Sequence, residues 1–407
     1  MRVPSWRRLG ARLLGILAVA FSLGVGAAHA GQAVGKKSAT TSGISSAQFS
    51  RMIRDFSEEG GSFFSENLIS NETSYLHVVD KLKQLGVSGG AYIGVGPEQN
   101  FTYIARIRPE IAFIVDIRRQ AMIQHLMYKA IFHLSADRAQ FLSRLFSKPL
   151  KGKDAPGRDA VLPQLVGYFG DAPASQEFFT ENLASIRKTI EKDFDFPLSS
   201  SDQQMLANIY NAFQQGNLRI SFRFGTDRGG PWNGNFPTLE NLLLERDLNG
   251  EMGNFLAAEQ DYDFVRDLQE KNRIIPVVGD FAGSKALAAV AGYLRENGYT
   301  VSAFYTSNVE QFLFGDQSIV AFTENVRKLP IGDKSVFIRS SRAGWQGHPA
   351  SVPGHRMMTM LQKMTVFLKD FEQGLYPDYR SLLTTHFIVG NEPEETPAQP
   401  LPTPARP

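Results

Sequence analysis

Residues 91–116, AYIGVGPEQNFTYIARIRPEIAFIVD, decide the fold. An apolar run at 91–96 stops at glycines, a stretch with helical spacing covers 101–108 and is closed by Pro109, and a second apolar run at 111–116 ends on an acid. Strands that are apolar at every position are buried on both faces, which is typical of a parallel sheet covered by helices on each side. The segment therefore predicts a β-α-β unit.

The same alternation of strand and helix patterns returns in the second half of the chain. The predicted strands cover residues 274–280, 300–305 and 335–339, and the predicted helices begin at residues 285 and 308. Alternation of this kind predicts an α/β fold with a doubly wound, mostly parallel, Rossmann-like sheet. We expect one long helix over 118–146, a largely helical insertion at about 148–236, and a short strand over 218–224 inside it.

The first thirty residues have the three parts of a secretory signal. Four arginines and no acidic residue occupy positions 1–12, an apolar run covers 13–26, and Ala28-His29-Ala30 has the small-x-small pattern of a cleavage site. The apolar run is shorter than the roughly 20 residues that span a bilayer, which favours a cleaved signal over an uncleaved anchor. We therefore expect an exported protein, periplasmic or secreted.

The remaining chain divides into three parts by composition. Residues 31–46 are rich in Gly, Ser, Thr and Lys and predict a flexible linker, and residues 391–407 are rich in Pro and predict a disordered tail. Residues 47–390 between them are expected to form the α/β domain with its helical insertion. The chain has no second apolar stretch of spanning length, so we expect no stable membrane span after signal cleavage.

Charge and cysteine content exclude several classes of function. The chain has 43 basic and 41 acidic residues, and loss of the four signal arginines leaves 39 basic residues against 41 acidic ones. A near-neutral protein lacks the positive field of a nucleic-acid binder, so no nucleic-acid partner is expected. The absence of cysteine excludes disulfides, thiol catalysis, Cys-based zinc sites and iron–sulfur clusters.

Gly94, Gly96 and Asp116 are the first candidates for a ligand site. Glycines after a strand let the backbone turn tightly and approach a ligand, and a carboxylate about 20 residues later can hold ribose hydroxyls. The strand, helix and strand pattern around these residues is the context that such a site requires. Dinucleotide-binding folds place a third glycine where this chain has Gln99.

The same residues resemble the motif of class I S-adenosylmethionine-dependent methyltransferases. Gly94 and Gly96 match the glycines of that motif and Asp116 matches its ribose-binding acid, whereas Tyr92 stands at its first acid and Glu98 at its third glycine. Glu98 also argues against a phosphate at this helix start, because it would place like charge beside it. The resemblance implies S-adenosylmethionine as the cofactor, with no metal.

Two longer stretches resemble a bacterial protein family with no assigned reaction and a methyltransferase-like Rossmann fold. They cover residues 92–118 and 273–314, which include PVVGDFAG and FYTSNVEQFLF, and the resemblance extends over about 63–388. The methyltransferase resemblance implies that Asp280 contacts the adenine amine or the acceptor, and that Asn308 and Glu310 line the acceptor side. The acceptor, a small molecule or a protein, is not specified.

Each candidate also has a structural alternative. The glycines can serve only to turn the chain, Asp116 and Asp280 can cap the helices that follow them, and Asn308 can cap a helix with Glu310 as a solvent-facing acid of its first turn. A non-catalytic binding or scaffold protein on the same fold is the main functional alternative, because fold does not imply function. An NAD-type oxidoreductase is disfavoured by Gln99.

The remaining motifs are weaker. His125 and His133 share one helix face but lack a third metal ligand, and the loops 224–232 and 345–356, the second with His348 and His355, have the composition of shaped functional loops. The chain has no Gly-x-Ser-x-Gly, His-Glu-x-x-His or phosphate-loop pattern, so serine hydrolase, zincin and P-loop functions have no support.

Overall fold

The computed structural model describes residues 43–222, 236–342 and 347–390. The predicted signal at 1–30, residues 31–42 of the predicted linker and the Pro-rich tail at 391–407 lie outside these ranges. None of the helices within them combines the length and apolarity that a bilayer crossing requires.

In the described part of the chain, six strands form a single mixed sheet. They are β1 (Ala91–Gly94), β2 (Ile111–Asp116), β3 (Ile274–Val278), β4 (Val301–Ser307), β5 (Ile331–Arg342) and β6 (Met357–Lys363). Their order across the sheet is β3-β2-β1-β4-β5-β6, and only β6 runs antiparallel to its neighbour. The expectation of an α/β fold with a mostly parallel sheet is confirmed.

Helices surround this sheet and account for most of the remaining elements. The α-helices are α1 (Ser46–Phe56), α2 (Val79–Gln84), α3 (Gln99–Ile107), α4 (Arg119–His133), α5 (Arg138–Phe146), α6 (Leu162–Asp171), α7 (Gln176–Lys188), α8 (Ser200–Gly216), α9 (Leu239–Leu243), α10 (Glu259–Glu270), α11 (Ala286–Glu296), α12 (Val309–Gly315), α13 (Ile319–Lys328), α14 (Met364–Glu372) and α15 (Tyr379–Thr384). Short 3₁₀ helices cover Thr73–Val78 and Asn217–Arg219, and a π-helix covers Thr189–Asp193.

An aromatic row on one face of the sheet holds the second layer of helices. Phe113, Ile93, Phe304 and Phe337 are register partners on four neighbouring strands, so their side chains point to the same face. Helices α1, α11, α13 and α14 cover this row with the rings of Phe56, Tyr293, Phe322 and Phe367. Such aromatic pairs stabilise the fold beyond the contribution of the apolar area that they bury.

The opposite face carries α3, α4 and α10. Tyr305 alternates with Phe304 along β4 and therefore points to the other face, where its ring lies 5.1 Å from that of Tyr103 on α3. Helices α5 and α8 pack in turn on α4. The segment at about 148–236 that we expected to be helical contains α6, α7 and α8 in its described part.

Two sequence-based expectations about this helical region are wrong in detail. The single helix expected over 118–146 is interrupted after His133, because Asp137 adopts an extended backbone and its side chain caps α5 through the Gln140 N–H. The strand expected over 218–224 is a 3₁₀ turn followed by an isolated bridge between Ser221 and Thr238 within the described residues.

Lys129 is a buried cation on α4. Its exposed fraction is 2%, and its Nζ lies 4.8 Å and 4.5 Å from the ring centres of Phe49 and Phe194. It donates a hydrogen bond to the carbonyl oxygen of Gln269 on α10. Burial lowers the pKa of Lys129 to about 7, because the protein interior disfavours the charged form.

Candidate functional site

A cavity of about 460 Å³ lies where the strand order turns back, at the carboxyl ends of the central strands. Its polar lining includes Glu72, Asp116, Arg118, Asp280, Tyr305, Ser307 and Asn308, and its apolar lining includes Phe63, Phe64, Phe281 and Phe312. Open α/β sheets bind ligands at this position, and the volume is that of a small-molecule site.

The loop after β1 is held open by one asparagine. Asn100 Nδ2 donates to the carbonyl oxygens of Val95, Gly96 and Pro97 at 2.9, 3.2 and 2.8 Å. Gly96 has φ +79°, which favours glycine, and no described atom lies within 4 Å of the place of a Cβ there. Gly96 lines the cavity, whereas Gly94 is not among the described lining residues.

Gly94 has a packing role instead. A Cβ at this position would lie 1.9 Å from Asn100 Oδ1 and 2.9 Å from Tyr92 Oη, so only glycine leaves space for the asparagine that organises the loop. Gly94 is therefore explained by packing without a positive φ, and its place beside the methionine and ribose part of the cofactor stays a prediction.

Gly94→Ala is expected to lower the free energy of unfolding by about 3 kcal/mol, since Asn100 must leave its three hydrogen bonds to the loop and the one that it accepts from Tyr92 Oη. Gly96→Ala, the matched control, should cost about 1 kcal/mol from backbone strain alone. Urea denaturation followed by circular dichroism measures both. An equal or smaller loss for Gly94→Ala would contradict the packing role.

Asp116 is already paired within the protein. Its Oδ1 accepts from the backbone N–H and the Nε of Arg118, both at 2.9 Å, and its Oδ2 accepts from Nη2 at 2.7 Å. Arg118 also donates to the carbonyl oxygens of Ser65 and Glu66. Because a carboxylate oxygen accepts two hydrogen bonds, Oδ2 keeps one position for a ligand.

Asp280 follows β3 and has more free acceptor capacity. Its Oδ1 accepts from the Ala282 N–H at 2.8 Å, and no Lys or Arg of the described ranges forms an ion pair with it. Glu58 closes the start of α11 beside it, because its carboxylate accepts from the N–H groups of Asp280, Lys285 and Ala286 at 3.2, 2.8 and 2.7 Å. Like Asp116, Asp280 bonds the N–H two residues on, which stabilises a turn and caps no helix directly.

The side chains of Asn308 and Glu310, just after β4, lie in different environments. Asn308 precedes α12 but its side chain makes no capping bond to that helix, and it lines the cavity. Glu310 is fully buried, and its carboxylate accepts from Arg339 Nε at 2.9 Å and from Thr306 Oγ1 at 3.0 Å. Burial raises the pKa of Glu310 against the opposing effect of Arg339.

The prediction that Glu310 lines the acceptor side is therefore wrong, and so is the alternative of a solvent-facing acid. Arg339 on β5 is 1% exposed and also donates to Gln362 Oε1 at 2.7 Å. The two residues form a buried ion pair between α12 and β5 and are not among the described residues that line the cavity.

Glu72 is the residue that sequence reasoning missed. It lies just before the Thr73–Val78 turn, is 1% exposed and lines the cavity. Its carboxylate accepts from Tyr305 Oη at 2.7 Å and from Gln99 Nε2 at 3.0 Å, among other donors. A lone glutamate in an irregular segment has no linear motif, so no sequence signal separates it from a surface acid.

Three phenylalanines form the mouth of the cavity. The ring centres of Phe63 and Phe64 are 4.3 Å apart, and those of Phe63 and Phe312 are 5.3 Å apart. Phe64 is 62% exposed and Phe312 is 38% exposed, which is unusual for side chains of this size in a protein surface. We call these three residues the aromatic mouth.

Two buried titratable groups flank the β1 loop. Burial raises the pKa of Glu98 to about 7, and its Oε1 accepts from the Ser70 N–H at 3.3 Å. Burial lowers the pKa of His125 to about 4, and its Nε2 donates to the Gly96 carbonyl oxygen at 2.8 Å. A neutral His125 thus supports the loop, and His133 instead bonds Glu270 at 3.0 Å. In the described part of the chain no group of three potential ligands could hold a metal ion.

The described part of the loop 345–356, which contains His348 and His355, packs beside the cavity. His348 Nε2 donates to the Leu383 carbonyl oxygen at 3.1 Å, and His355 Nδ1 is hydrogen bonded to Thr73 Oγ1 at 2.9 Å. Neither histidine is among the described lining residues, although Arg356 is. The other loop singled out from the sequence, 224–232, lies outside the described residues, as do Trp345 and Gln346.

Comparison with known proteins adds a family but no activity. The family model described as "Domain of unknown function (DUF7790)" matches residues 68–390, which include the whole sheet and most of the cavity. No curated protein matches the sequence.

Proposed function

Since the chain belongs to the DUF7790 family, a domain of unknown function, we propose from the cavity that it binds S-adenosylmethionine or a related nucleoside on a Rossmann-like fold. One observation carries the proposal: four of the six residues predicted from the sequence line one cavity at the turning point of the sheet. They are Gly96, Asp116, Asp280 and Asn308. The order of the first five strands is that of nucleotide-binding doubly wound sheets, which supports the same conclusion.

The ends of β2 and β3 offer a nucleoside half to the cavity. Asp116, fixed by Arg118, has one free acceptor position for a ribose hydroxyl, and Asp280 has three. Phe281, next to Asp280, adds an apolar wall suited to a base. We propose that the adenosine lies here and that the acceptor enters beside Asn308.

A cofactor with phosphates is disfavoured by the helix starts that face this edge. Phosphates bind to free N–H groups at a helix N-terminus. Here the carboxylate of Glu58 occupies the N–H groups at the start of α11, and Pro97 and Glu98 precede α3. The Glu58 carboxylate repels a pyrophosphate and Pro97 offers it no N–H group, which supports a sulfonium cofactor over a dinucleotide.

A non-catalytic binding protein on the same fold is the second candidate. It is favoured by Asp116, whose carboxylate already holds the guanidinium of Arg118 in a bidentate pair. An exported protein would also meet little S-adenosylmethionine, and export remains our expectation from the sequence. Under this second candidate the cavity binds a nucleoside or a related small molecule without transfer of a methyl group.

Thermal melting with S-adenosylhomocysteine tests the proposed cofactor. At about a hundred times its dissociation constant the ligand should raise the free energy of unfolding by roughly 2.7 kcal/mol. Asp280→Ala should remove most of this shift, because the base loses its acidic partner. Asp333→Ala, an exposed acid on β5 outside the cavity, should keep it. No shift of the unsubstituted protein at millimolar ligand would refute the proposed cofactor.

A further inference from the structure

Glu72 is a buried carboxylate in the lining of the cavity, and its hydrogen-bond partners among the described residues are all neutral. Its Oε2 accepts from Tyr305 Oη at 2.7 Å, from Gln99 Nε2 at 3.0 Å and from Ser340 Oγ at 2.6 Å, and its Oε1 accepts from Ser307 Oγ. Among the described residues no Lys, Arg or His side chain forms an ion pair with it. The other acids of the described ranges that are buried as deeply, Glu310 and Asp202, each pair with an arginine.

Burial of a carboxylate without a cation is costly, and proteins normally pair such a charge. Neutral donors offset part of the cost by hydrogen bonding to the ionised form. The donors hold Glu72 from the sheet and from α3, and the carboxylate remains part of the cavity wall. Oε1, which accepts from Ser307 Oγ alone among the described residues, keeps one acceptor position for a ligand.

Backbone strain at the same point supports a role in binding. Ser307, which donates to Glu72, has φ +53°, a conformation that non-glycine residues rarely adopt. Strain of this kind persists where the surrounding structure imposes it and is concentrated at functional sites. Ser307 ends β4 and is followed directly by Asn308, which lines the same half of the cavity.

We propose that Glu72 is the counter-ion of a protonated amine, and that the acceptor entering this half of the cavity is an amine with an apolar or aromatic body. The carboxylate supplies the charge, and the aromatic mouth supplies contact with the body of the ligand. Aromatic faces also attract cations, so an ammonium group is favoured along the whole entry path. The identification of the amine as an acceptor rests on the proposed function, which places a nucleoside in the other half of the cavity. The amine site itself does not depend on that proposal.

Calorimetric titration of the full chain with three matched probes tests this charge preference. The probes are 2-phenylethylamine, 2-phenylethanol and 3-phenylpropionate, which share a phenyl body and differ in charge. We expect the amine to bind about tenfold or more tightly than the alcohol, with the carboxylate weakest, because charge-assisted hydrogen bonds are stronger than neutral ones. Equal affinities, tighter binding of the carboxylate, or no binding of the amine at millimolar concentration would each overturn the proposal.

Glu72→Gln identifies the residue responsible. The amide oxygen can accept from two of the three donors of Oε2, and the amide nitrogen can donate to Ser307 Oγ, so most of the hydrogen bonds survive while the charge is lost. The amine-to-alcohol preference should then fall to about twofold or less. Glu66→Gln, an exposed acid of the same segment, is the control and should keep the preference. A preference for the amine that persists in Glu72→Gln contradicts the assignment. Glu72→Asp retains the charge and should keep the preference, and it is measured in place of Glu72→Gln if that variant does not fold.

A nucleoside probe separates this inference from the proposed function. 5′-Methylthioadenosine lacks an amino group on its tail and tests the nucleoside half alone. If it binds and the amine preference is absent, the amine site is wrong and the cofactor proposal stands. If it does not bind while the amine preference depends on Glu72, the cofactor proposal fails and the amine site stands.

Discussion

Arg339→Met is expected to lower the free energy of unfolding by about 3–5 kcal/mol, a large fraction of the stability of a typical domain. The change leaves the carboxyl of Glu310, on α12, buried without its cation, and Gln362 loses the hydrogen bond that Arg339 donates. The Met side chain has a similar length, so the loss reports the charge and the hydrogen bonds more than the packing. Guanidinium denaturation of the purified chain measures it.

The double substitution Glu310→Leu with Arg339→Met separates the pair from its parts. Replacement of both members of a buried ion pair by apolar residues is often neutral or stabilising, so the double variant should recover at least about 2 kcal/mol of the loss. Arg327→Met, which breaks the exposed pair with Glu372, should cost less than about 1 kcal/mol. A double variant as unstable as Arg339→Met would show that packing between α12 and β5 dominates.

The second large effect concerns pH and Lys129. The folded protein binds a proton at Lys129 with a pKa of about 7, and the unfolded chain does so near 10.4. Between these values the unfolded state holds more protons, so the free energy of unfolding rises with pH. We expect a slope of roughly 1 kcal/mol per pH unit from about pH 7 to pH 9, from this residue alone.

Lys129→Met should flatten that slope and raise the stability at pH 7. The thioether chain fills the space between Phe49 and Phe194 and carries no charge to desolvate. Lys271→Met, which removes an exposed lysine paired with Asp267, should leave the slope unchanged. Urea denaturation at a series of pH values decides the matter, and an equal slope in both variants would exclude Lys129 as its source.

The part of the fold that is local in sequence could be predicted. The apolar runs at 91–96 and 111–116 form β1 and β2, and the run at 274–280 contains β3, because a strand buried on both faces leaves an unbroken apolar pattern. The helix boundary at His133 was missed because apolar spacing continues through the break. Only the cap made by Asp137 interrupts it.

The candidate site could be predicted only where a motif reflects backbone geometry. Gly96 has the positive φ that favours glycine, Asp116 ends β2 and Asp280 lies just after β3, and all three line the cavity. The role of Glu72 and the hydrogen bonds that hold Arg118 to Ser65 and Glu66 were not predictable, since these contacts join distant segments. Glu310 was misassigned because a first-turn acid has the same pattern whether it faces solvent or an arginine on another strand.

The order of the strands also governs how this chain must fold. Strand β1 pairs with β2, which is nearby in sequence, and its other edge pairs with β4, which is far along the chain. Strand β2 ends at Asp116, whereas its other partner β3 begins only at Ile274. The entropy cost of closing such long loops comes before the strand contacts that offset it. The sheet should therefore form late and slowly, after the intervening helices. Until β4 is available, a nascent chain displays an unpaired apolar strand edge and depends on protection from aggregation.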